Sequence, residues 1–404
     1  MGGVSMEWKE VTLGEIGTIV GGATPSTKNT SFYDGNIPWL TPKDLSVNSN
    51  KYIFRGERNI TEAGFKSCSC KMLPKGSVLF SSRAPIGYVA IAANDMCTNQ
   101  GFKSVIPNEE TDSEFLYYLL KYNKDNIASQ GSGTTFAEVS GKTMKDIEVV
   151  VPKEKEDQHR IASILSSLDR KIELNNKINA DLEEMAQAIF KNWFVDFEPF
   201  KDGKFVDSEL GMIPEGWKVG TLGDITKNKS AKVKERNDVK VLSPVTTGEL
   251  VLSEEYFTKQ VFSSSIAKYK IVNKGNFAYN PARVNIGSLG RNEFDFDGCV
   301  SPVYVVFSVL DGYENYFDLF RKTDFFKDSV ASLAIGGVRQ SLSYDDLSSI
   351  EVIIPSENAV EEFNNLYNQM KKTIKANKLE NSRLSLLRDT LLPRLMSGEL
   401  EVPE

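Results

Sequence analysis

Apolar residues in the middle of the chain recur in alternating steps of four and three, over about residues 156–193. The repeating positions are Ile161, Leu165, Leu168, Ile172, Asn175, Asn179, Leu182, Ala186, Ile189 and Trp193. This spacing predicts a long amphipathic helix with a coiled-coil seam that asparagine interrupts at its centre. Because the apolar stripe is narrow, we expect the helix to need a partner helix.

The same pattern returns near the C-terminus, where Ile374 stands 202 positions after Ile172. The second series consists of Phe363, Tyr367, Met370, Ile374, Asn377, Asn381, Leu384, Arg388, Leu391 and Leu395. We therefore predict that the two helices pair with each other as an antiparallel coiled coil. The predicted helix-pairing residues are Leu165, Leu168, Ile172, Asn175, Asn179, Leu182, Met370, Ile374, Asn377, Asn381, Leu384 and Leu391.

Antiparallel pairing would bring the four seam asparagines together at a pseudo-twofold axis. Buried seam asparagine fixes helix register at a cost in stability. The alternative is that the helices curve apart and the asparagines are solvated. A helix over 156–193 would span roughly 57 Å, which is long enough to hold two DNA-reading heads about 34 Å apart.

The sequences before the two helices predict mixed α+β globules. In the first, residues 77–81 and 88–92 are typical of strands, and residues 114–121 are typical of a helix. We divide the chain into a first globular domain (1–152), a central long helix (153–200), a second globular domain (201–355) and a C-terminal long helix (356–404).

The second globule repeats the first. Trp8-Lys9 corresponds to Trp217-Lys218, Arg83-x-x-Ile86-Gly87 to Arg283-x-x-Ile286-Gly287, and Cys97 to Cys299. A repeat of about 200 residues is too long for a solenoid unit and indicates a tandem duplication of globule plus helix. The scaffold positions match between the halves but the loops differ, which suits two related recognition tasks.

Composition adds few constraints. The net charge of −7 excludes a surface that is basic throughout, and nucleic-acid binding would need only a local patch. Neither an apolar run of about 18 residues nor an apolar signal core over residues 1–10 occurs, so we expect a cytoplasmic protein. Cys68-Ser69-Cys70 lacks further metal ligands, and we expect buried, reduced thiols and no metal.

Catalytic motifs are absent from the sequence. There is no Gly-x-x-x-x-Gly-Lys-Ser/Thr phosphate loop and no Asn/Asp-Pro-Pro-aromatic tetrapeptide of an adenine methyltransferase, and His159 is the only histidine. We therefore expect no enzymatic activity and no cofactor.

Three motifs resemble the specificity subunit of type I restriction-modification enzymes. They are Glu209-Leu-Gly-Met-Ile-Pro-Glu-Gly-Trp217, Phe190-Lys-Asn-Trp-Phe-Val-Asp-Phe197 and Leu391-Leu-Pro-Arg-Leu-Met-Ser-Gly-Glu-Leu400. The helix start Asp157-Gln158-His159-Arg160-Ile161 is also similar to that family, whereas residues 356–362 lack its Gln-x-x-Ile pattern. This departure implies that the two helices engage partner subunits unequally.

The resemblance implies a non-catalytic subunit whose two target-recognition domains each read one half of a bipartite double-stranded DNA site. It also implies assembly with modification (methyltransferase) subunits and a restriction/translocase subunit, with no membrane. Partner contacts would lie on the outward helix faces, around Gln158, Arg160 and residues 190–197. Two alternatives remain, a coiled-coil adaptor for protein partners and a standalone DNA-modifying enzyme.

Candidate DNA contacts combine cationic or amide side chains with glycine-rich loops. They are Lys43, Arg83, Ser132, Thr134, Thr135, Asn280, Arg283, Arg339 and Gln340. Since Arg83 and Arg283 occupy equivalent repeat positions, they have two open interpretations, a structural salt bridge and a shared phosphate contact. Tyr33 and Trp39 could stack on unpaired bases, but we expect them in the core.

Overall fold

The computed structural model describes residues 6–48, 50–83, 85–132, 137–334 and 341–402. The chain forms two compact units, one of Met1–Ile178 with Ala376–Glu404 and one of Asn179–Lys375. Both boundaries fall inside long helices, so each unit takes part of both helices. The four-segment division at 152, 200 and 355 stays a prediction.

The first unit is built from short strands, short helices and part of two long helices. Its strands are β1 (Trp8–Thr12), β2 (Gly17–Gly21), β3 (Tyr33–Leu40), β4 (Tyr52–Ile53), β5 (Asn59–Ile60), β6 (Val78–Ser82), β7 (Ile86–Ala92), β8 (Cys97–Thr98), β9 (Lys103–Pro107) and β10 (Glu148–Pro152). Its helices are α1 (Leu13–Ile16), α2 (Pro42–Val47), α3 (Glu62–Lys66), α4 (Ser113–Tyr122), α5 (Lys124–Ser129), α6 (Gly141–Asp146) and the start of α7 (Lys155–Phe194), with a 3₁₀ turn at Thr30–Phe32.

The second unit has the same kind of composition. Its strands are β11 (Phe205–Val206), β12 (Ile213–Pro214), β13 (Lys218–Thr221), β14 (Thr226–Lys229), β15 (Lys240–Pro244), β16 (Leu250–Leu252), β17 (Lys270–Val272), β18 (Phe277–Tyr279), β19 (Leu289–Arg291), β20 (Gly298–Val300), β21 (Val305–Val309) and β22 (Glu351–Ile354). Its helices are α8 (Leu222–Ile225), α9 (Ser253–Tyr256), α10 (Glu314–Phe320), α11 (Asp324–Ala334), α12 (Tyr344–Ser348) and the start of α13 (Glu357–Met396), with 3₁₀ turns at Glu198–Phe200 and Val284–Ile286.

The sheet order confirms the predicted repeat. β1 pairs antiparallel with β10, as β13 does with β22, and the order β2-β9-β6-β7 matches β14-β21-β18-β19. The parallel pair β3–β8 sets Trp39 opposite Cys97, and the parallel pair β15–β20 sets Val241 opposite Cys299. Each unit is thus a mixed α/β globule that leads from an antiparallel strand pair into a long helix.

Both long helices are rooted in the cores of the units. Ile161 and Leu165 of α7 are fully buried in the first unit, together with Leu395 and Met396 from the end of α13. In the second unit, Phe190 and Phe194 of α7 and the first turns of α13 belong to one aromatic core. Among the described residues, no helix has the length and apolarity needed to cross a lipid bilayer.

A buried ion pair fastens α4 of the first unit to α7. Lys51 Nζ donates hydrogen bonds to Glu114 Oε1 at 2.8 Å and to Ser166 Oγ at 2.7 Å, and the Lys51 side chain is 2% exposed. Burial alone would raise the pKa of Glu114, but hydrogen bonds from Lys51, Ser166 and Tyr52 outweigh it and hold the pKa below 4.5. The ionised carboxylate therefore stabilises the folded unit.

A second buried carboxylate joins α4, α7 and α13 within the same unit. Asp169 accepts a hydrogen bond from the Tyr118 hydroxyl at 2.5 Å and another from Arg388 Nη1 at 2.7 Å. Arg388 occupies one of the recurring positions on α13 where an apolar residue is expected. Arg388 is half buried, and the Asp169 carboxylate compensates its charge there.

We predict that Glu114→Gln destabilises the first unit by about 3 kcal/mol near neutral pH, because Lys51 is left buried without its carboxylate. A depressed pKa contributes stability above the unfolded-state value of about 4.5, and this contribution is lost as the pH falls through the folded-state pKa. The melting temperature of the variant should therefore fall less than that of the wild type between about pH 6 and about pH 3.

The control for this measurement is Glu62→Gln, which removes an exposed carboxylate whose ion-pair partner among the described residues is Lys66 on its own helix. It should follow the wild-type curve. If Glu114→Gln also followed that curve at every pH, the ion pair would have no role in fastening α4 to α7.

Candidate nucleic-acid interface

In the first unit, two of the predicted contact residues lie beside each other. Arg83 follows directly after β6 and pairs through its backbone with Glu138, which also exchanges backbone hydrogen bonds of 3.1 and 3.0 Å with Ser132. Arg83 Nη1 lies 3.6 Å from one Glu138 carboxylate oxygen, and Lys103 Nζ lies 3.2 Å from the other. Arg83 therefore has a structural ion pair, one of its two predicted roles. Two cations share one carboxylate, so positive charge remains at this strand end.

The glycine-rich stretch of the first unit, residues 130–135, adjoins this same place. Ser132 lies in the stretch and Glu138 follows it, whereas Thr134 and Thr135 lie outside the described residues. The backbone bridge between Ser132 and Glu138 thus holds the described residues on either side of residues 133–136 next to Arg83.

In the second unit, Asn280 and Arg283 lie on the turn after β18. The half-buried Asn280 accepts a hydrogen bond at its Oδ1 from the Ala282 N–H at 3.1 Å, which holds the turn. Gly287 has a φ of +95°, and a Cβ there would come 2.6 Å from the Thr246 carbonyl oxygen, so the turn requires glycine. Arg283 is exposed, and no carboxylate of the described residues lies within ion-pair distance of it.

The glycine-rich stretch of the second unit also ends beside its arginine. Arg339 and Gln340 lie outside the described residues. The residue that follows shortly after them, Leu342, donates its N–H to the Pro281 carbonyl at 3.1 Å and accepts a hydrogen bond from the Tyr279 hydroxyl at 3.2 Å. In each unit, taken by itself, the described residues that adjoin the glycine-rich stretch (Ser132 and Glu138 in the first, Leu342 in the second) form their hydrogen bonds next to the turn that carries the arginine.

Lys43 is exposed in the first turn of α2. Its ammonium group donates a 2.7 Å hydrogen bond to Glu57, and this contact raises the pKa of Lys43. A DNA phosphate would have to replace Glu57 as its partner. Lys43 is therefore a weaker phosphate ligand than an unpaired cation.

Tyr33 and Trp39 belong to the core, as we expected. Both are buried, and they donate hydrogen bonds to backbone carbonyls, Tyr33 to Pro25 at 2.7 Å and Trp39 to Ala23 at 3.0 Å. The three cysteines of this unit are free thiols, and burial raises the pKa of Cys97 to about 11. No group of described residues could hold a metal ion.

Several residues predicted to touch partner subunits are instead buried. Gln158 is 2% exposed, and its amide bonds to the Pro152 carbonyl and to the Asp112 N–H. Phe190 and Phe194 pack in the aromatic core of the second unit against Phe363, with ring centroids 6.2 and 5.0 Å apart. The prediction that Gln158, Phe190 and Phe194 contact partner subunits is wrong, because each side chain is buried inside its own unit.

Comparison with known proteins gives a consistent result. Residues 6–184 match the type I restriction modification DNA specificity domain. The chain is 36% identical to the type I restriction enzyme MjaIX specificity subunit of Methanocaldococcus jannaschii, over 100% of this chain and 96% of that protein. It is 26% identical to the HindI specificity subunit of Haemophilus influenzae, over 98% of this chain and 100% of that protein.

The fold agrees with these relatives. The crystal structure of a type I restriction-modification system S subunit from M. genitalium matches 97% of this chain and 96% of its own, with a TM-score of 0.57 and 18% sequence identity. Because the likeness to the MjaIX subunit extends over the full chain at 36% identity, the chain belongs to the family of type I restriction-modification specificity subunits.

Proposed function

We propose that each unit recognises one half of a bipartite double-stranded DNA site and that the chain is the scaffold for modification and restriction subunits. Specificity subunits are the DNA-recognition, non-catalytic members of type I systems. The observation that carries the proposal is the repeat of one strand order with different residues at the equivalent strand end. Two like scaffolds with unlike contact surfaces suit two unlike half-sites.

The two strand ends differ in charge. Arg83 shares Glu138 with Lys103, whereas Arg283 is exposed and has no ion-pair partner among the described residues. An exposed guanidinium can bind a phosphate or a guanine edge without losing an existing partner. We therefore assign DNA contact to Arg283 and the support of the neighbouring loop to Arg83.

We infer that α7 and α13 pair antiparallel as a coiled coil with pseudo-twofold symmetry. Within the first unit, Asp169 bonds to Arg388, while Asn175, further along α7, bonds to Asn381, which lies earlier on α13. Within the second unit, Trp193 packs against Phe363 near the start of α13. In both units, later positions on α7 thus meet earlier positions on α13, and all predicted helix-pairing residues are buried or half buried.

Asn175 supports a role for asparagine in setting this register. Its side chain is fully buried, and Nδ2 donates to Glu380 at 2.7 Å and to Asn381 at 2.9 Å. Its Oδ1 has no hydrogen-bond partner among the described residues. An amide satisfied only in part is costly in a seam, which favours a role in specificity over one in stability.

The outer faces of the helices in the first unit are suited to partner subunits. Exposed apolar side chains there are Leu174 (52%), Ile178 (36%), Leu379 (54%), Leu386 (71%) and Leu387 (46%). Exposed apolar clusters of this kind mark protein contact surfaces. We propose that modification subunits bind here. A cytoplasmic location stays a prediction.

We predict that the full-length chain copurifies with its modification subunits and that the complex methylates an asymmetric two-part sequence with a fixed gap. Sequencing of methylated genomic DNA measures this. Leu379→Lys with Leu386→Lys should abolish copurification and methylation without lowering the melting temperature, because both side chains are exposed.

The same experiment separates the alternatives. Methylation by the purified chain alone with S-adenosylmethionine would establish a standalone enzyme. Copurification of protein partners without any methylation of DNA would establish a coiled-coil adaptor.

We predict that Arg283→Ala weakens binding of the complex to its site by about 10- to 100-fold, equivalent to about 1–3 kcal/mol. Arg83→Ala should act mainly through the loop that it supports, and Arg83→Lys, which keeps the ion pair with Glu138, should restore binding. Titration with a duplex carrying the mapped site measures all three. Equal loss from Arg83→Lys and Arg283→Ala would contradict the different roles.

We predict that Asn175→Leu combined with Asn381→Leu raises the melting temperature by about 2 °C, since the partly satisfied amide and its asparagine partner are replaced by apolar groups. Glu380, the other acceptor of Asn175, keeps its ion pair with Lys171 at 3.3 Å. Heterogeneous gap lengths in the methylated sequence should accompany it. Asn175→Ala is the matched control, which leaves a cavity and should lower the melting temperature. A lower melting temperature for the leucine pair would argue against a seam contact.

A further inference from the structure

Two segments of the second unit run antiparallel beside each other and carry four lysines, residues 231–234 and residues 267–271. The Val233 N–H donates to the Tyr269 carbonyl at 2.9 Å, and the Ile271 N–H donates to the Ala231 carbonyl at 2.8 Å. Lys232 stands directly opposite Lys270 across the antiparallel pair. We call these two segments the lysine ribbon.

Backbone contacts bring the four lysines close together. Lys232 lies opposite Lys270, and the Lys234 N–H donates to the carbonyl of Ala267, the residue before Lys268, at 2.9 Å. Val233 and Tyr269, which lie between these lysines in the sequence, are buried. Lys232, Lys234 and Lys268 are exposed, whereas Lys270 is half buried and donates to the Tyr304 carbonyl at 2.6 Å.

The nearby carboxylates do not neutralise the ribbon lysines. Arg236 forms ion pairs with Asp238, at N–O distances of 2.6 and 2.8 Å, and with Asp297, at 3.1 Å. Within the described residues, no carboxylate lies in ion-pair range of Lys232, Lys234 or Lys268. In a chain with a net charge of −7, these lysines form a local patch of positive charge.

The shared scaffold does not require these lysines. The ends of α1 and α8 correspond, Ile16 to Ile225, and the strands β2 and β14 follow them. Between β2 and β3 the first unit carries one lysine, Lys28, whereas between β14 and β15 the second unit carries Lys232, Lys234 and Arg236. The repeated strand order therefore forms in the first unit without this density of positive charge.

We propose that the lysine ribbon binds the phosphate backbone of the DNA half-site recognised by the second unit; this rests on the proposed function. Ammonium groups bind phosphates as point charges, and such contacts orient a protein on the duplex without reading its sequence. The four lysines lie close together in the folded unit, since backbone hydrogen bonds hold the two segments side by side. The ribbon anchors the second unit, and the turn that carries Arg283 lies on a different strand connection.

The test is a triple variant, Lys232→Gln, Lys234→Gln and Lys268→Gln, in the full-length chain assembled with its modification subunits. The probe is a duplex carrying the methylated sequence of the wild-type complex, titrated at several salt concentrations. We expect affinity to fall by about 10- to 100-fold near 0.1 M salt and the log–log salt slope to become shallower by about 2–3. The methylated sequence should not change.

Two controls accompany this variant. Lys204→Gln, Lys218→Gln and Lys322→Gln remove the same charge from exposed positions of the second unit outside the ribbon, and should bind as the wild type does. Replacing the three ribbon lysines with arginine keeps the charge and should retain most of the affinity. Equal melting temperatures of all variants show that the fold is intact.

An unchanged affinity and salt slope in the ribbon variant, with wild-type binding intact, would overturn the ribbon proposal and leave the proposed function standing. Equal losses in the ribbon variant and the first control would also overturn it, because the effect would be one of total charge. A changed methylated sequence would show base reading instead of phosphate anchoring. Failure of the wild-type complex itself to bind or methylate any DNA would overturn the proposed function, and the ribbon proposal with it.

Discussion

A helix of 40 residues with a narrow apolar stripe cannot bury that stripe by itself, and the rest of the structure depends on how the stripe is covered. In the first unit, globule side chains enclose the beginning of α7 around Ile161 and Leu165. In the second unit, an aromatic core encloses its end around Phe190 and Phe194. Between these ends the stripe is narrow, and there it carries Asn175 and Asn179 instead of apolar residues. The helix is thus most strongly held where it enters each unit.

This constraint explains why the family resemblance is carried by residues that do not face outward. Phe194 and Phe197 pack against Trp217, which belongs to a different one of the three motifs. Gln158 fills a buried position where it links the strand before α7 to the segment that leads into α4. The residues of the motifs therefore attach a globule to a long helix. The proposed DNA contacts lie on turns outside the three motifs.

Local periodicity made the scaffold predictable. The steps of four and three identified α7 and α13, and the strands predicted at 77–81 and 88–92 are confirmed within one or two residues by β6 and β7. The partners of charged groups were not predictable in this way. Asp169 and Arg388 are 219 positions apart, and their contact depends on tertiary packing alone.

Equivalence in the repeat was also an incomplete guide. Arg83 and Arg283 share a sequence motif, yet only Arg83 has a described carboxylate partner, Glu138, and no periodic signal marks that residue. The lysines of the ribbon lie in two segments that are separate in the sequence, residues 231–234 and 267–271, and only the backbone pairing of the folded unit brings them together.

The position of the C-terminal residues has a consequence for the order in which the protein forms during synthesis. Leu395 and Met396 are buried among side chains contributed by residues near the N-terminus, and Gly398 lies so close to Trp8 that a Cβ there would come 2.9 Å from the indole ring. The first unit consequently cannot complete its core while the ribosome is still translating the second. The second unit contains its own continuous stretch of chain and can fold earlier, so domain folding in this protein runs against the usual order from the N-terminus.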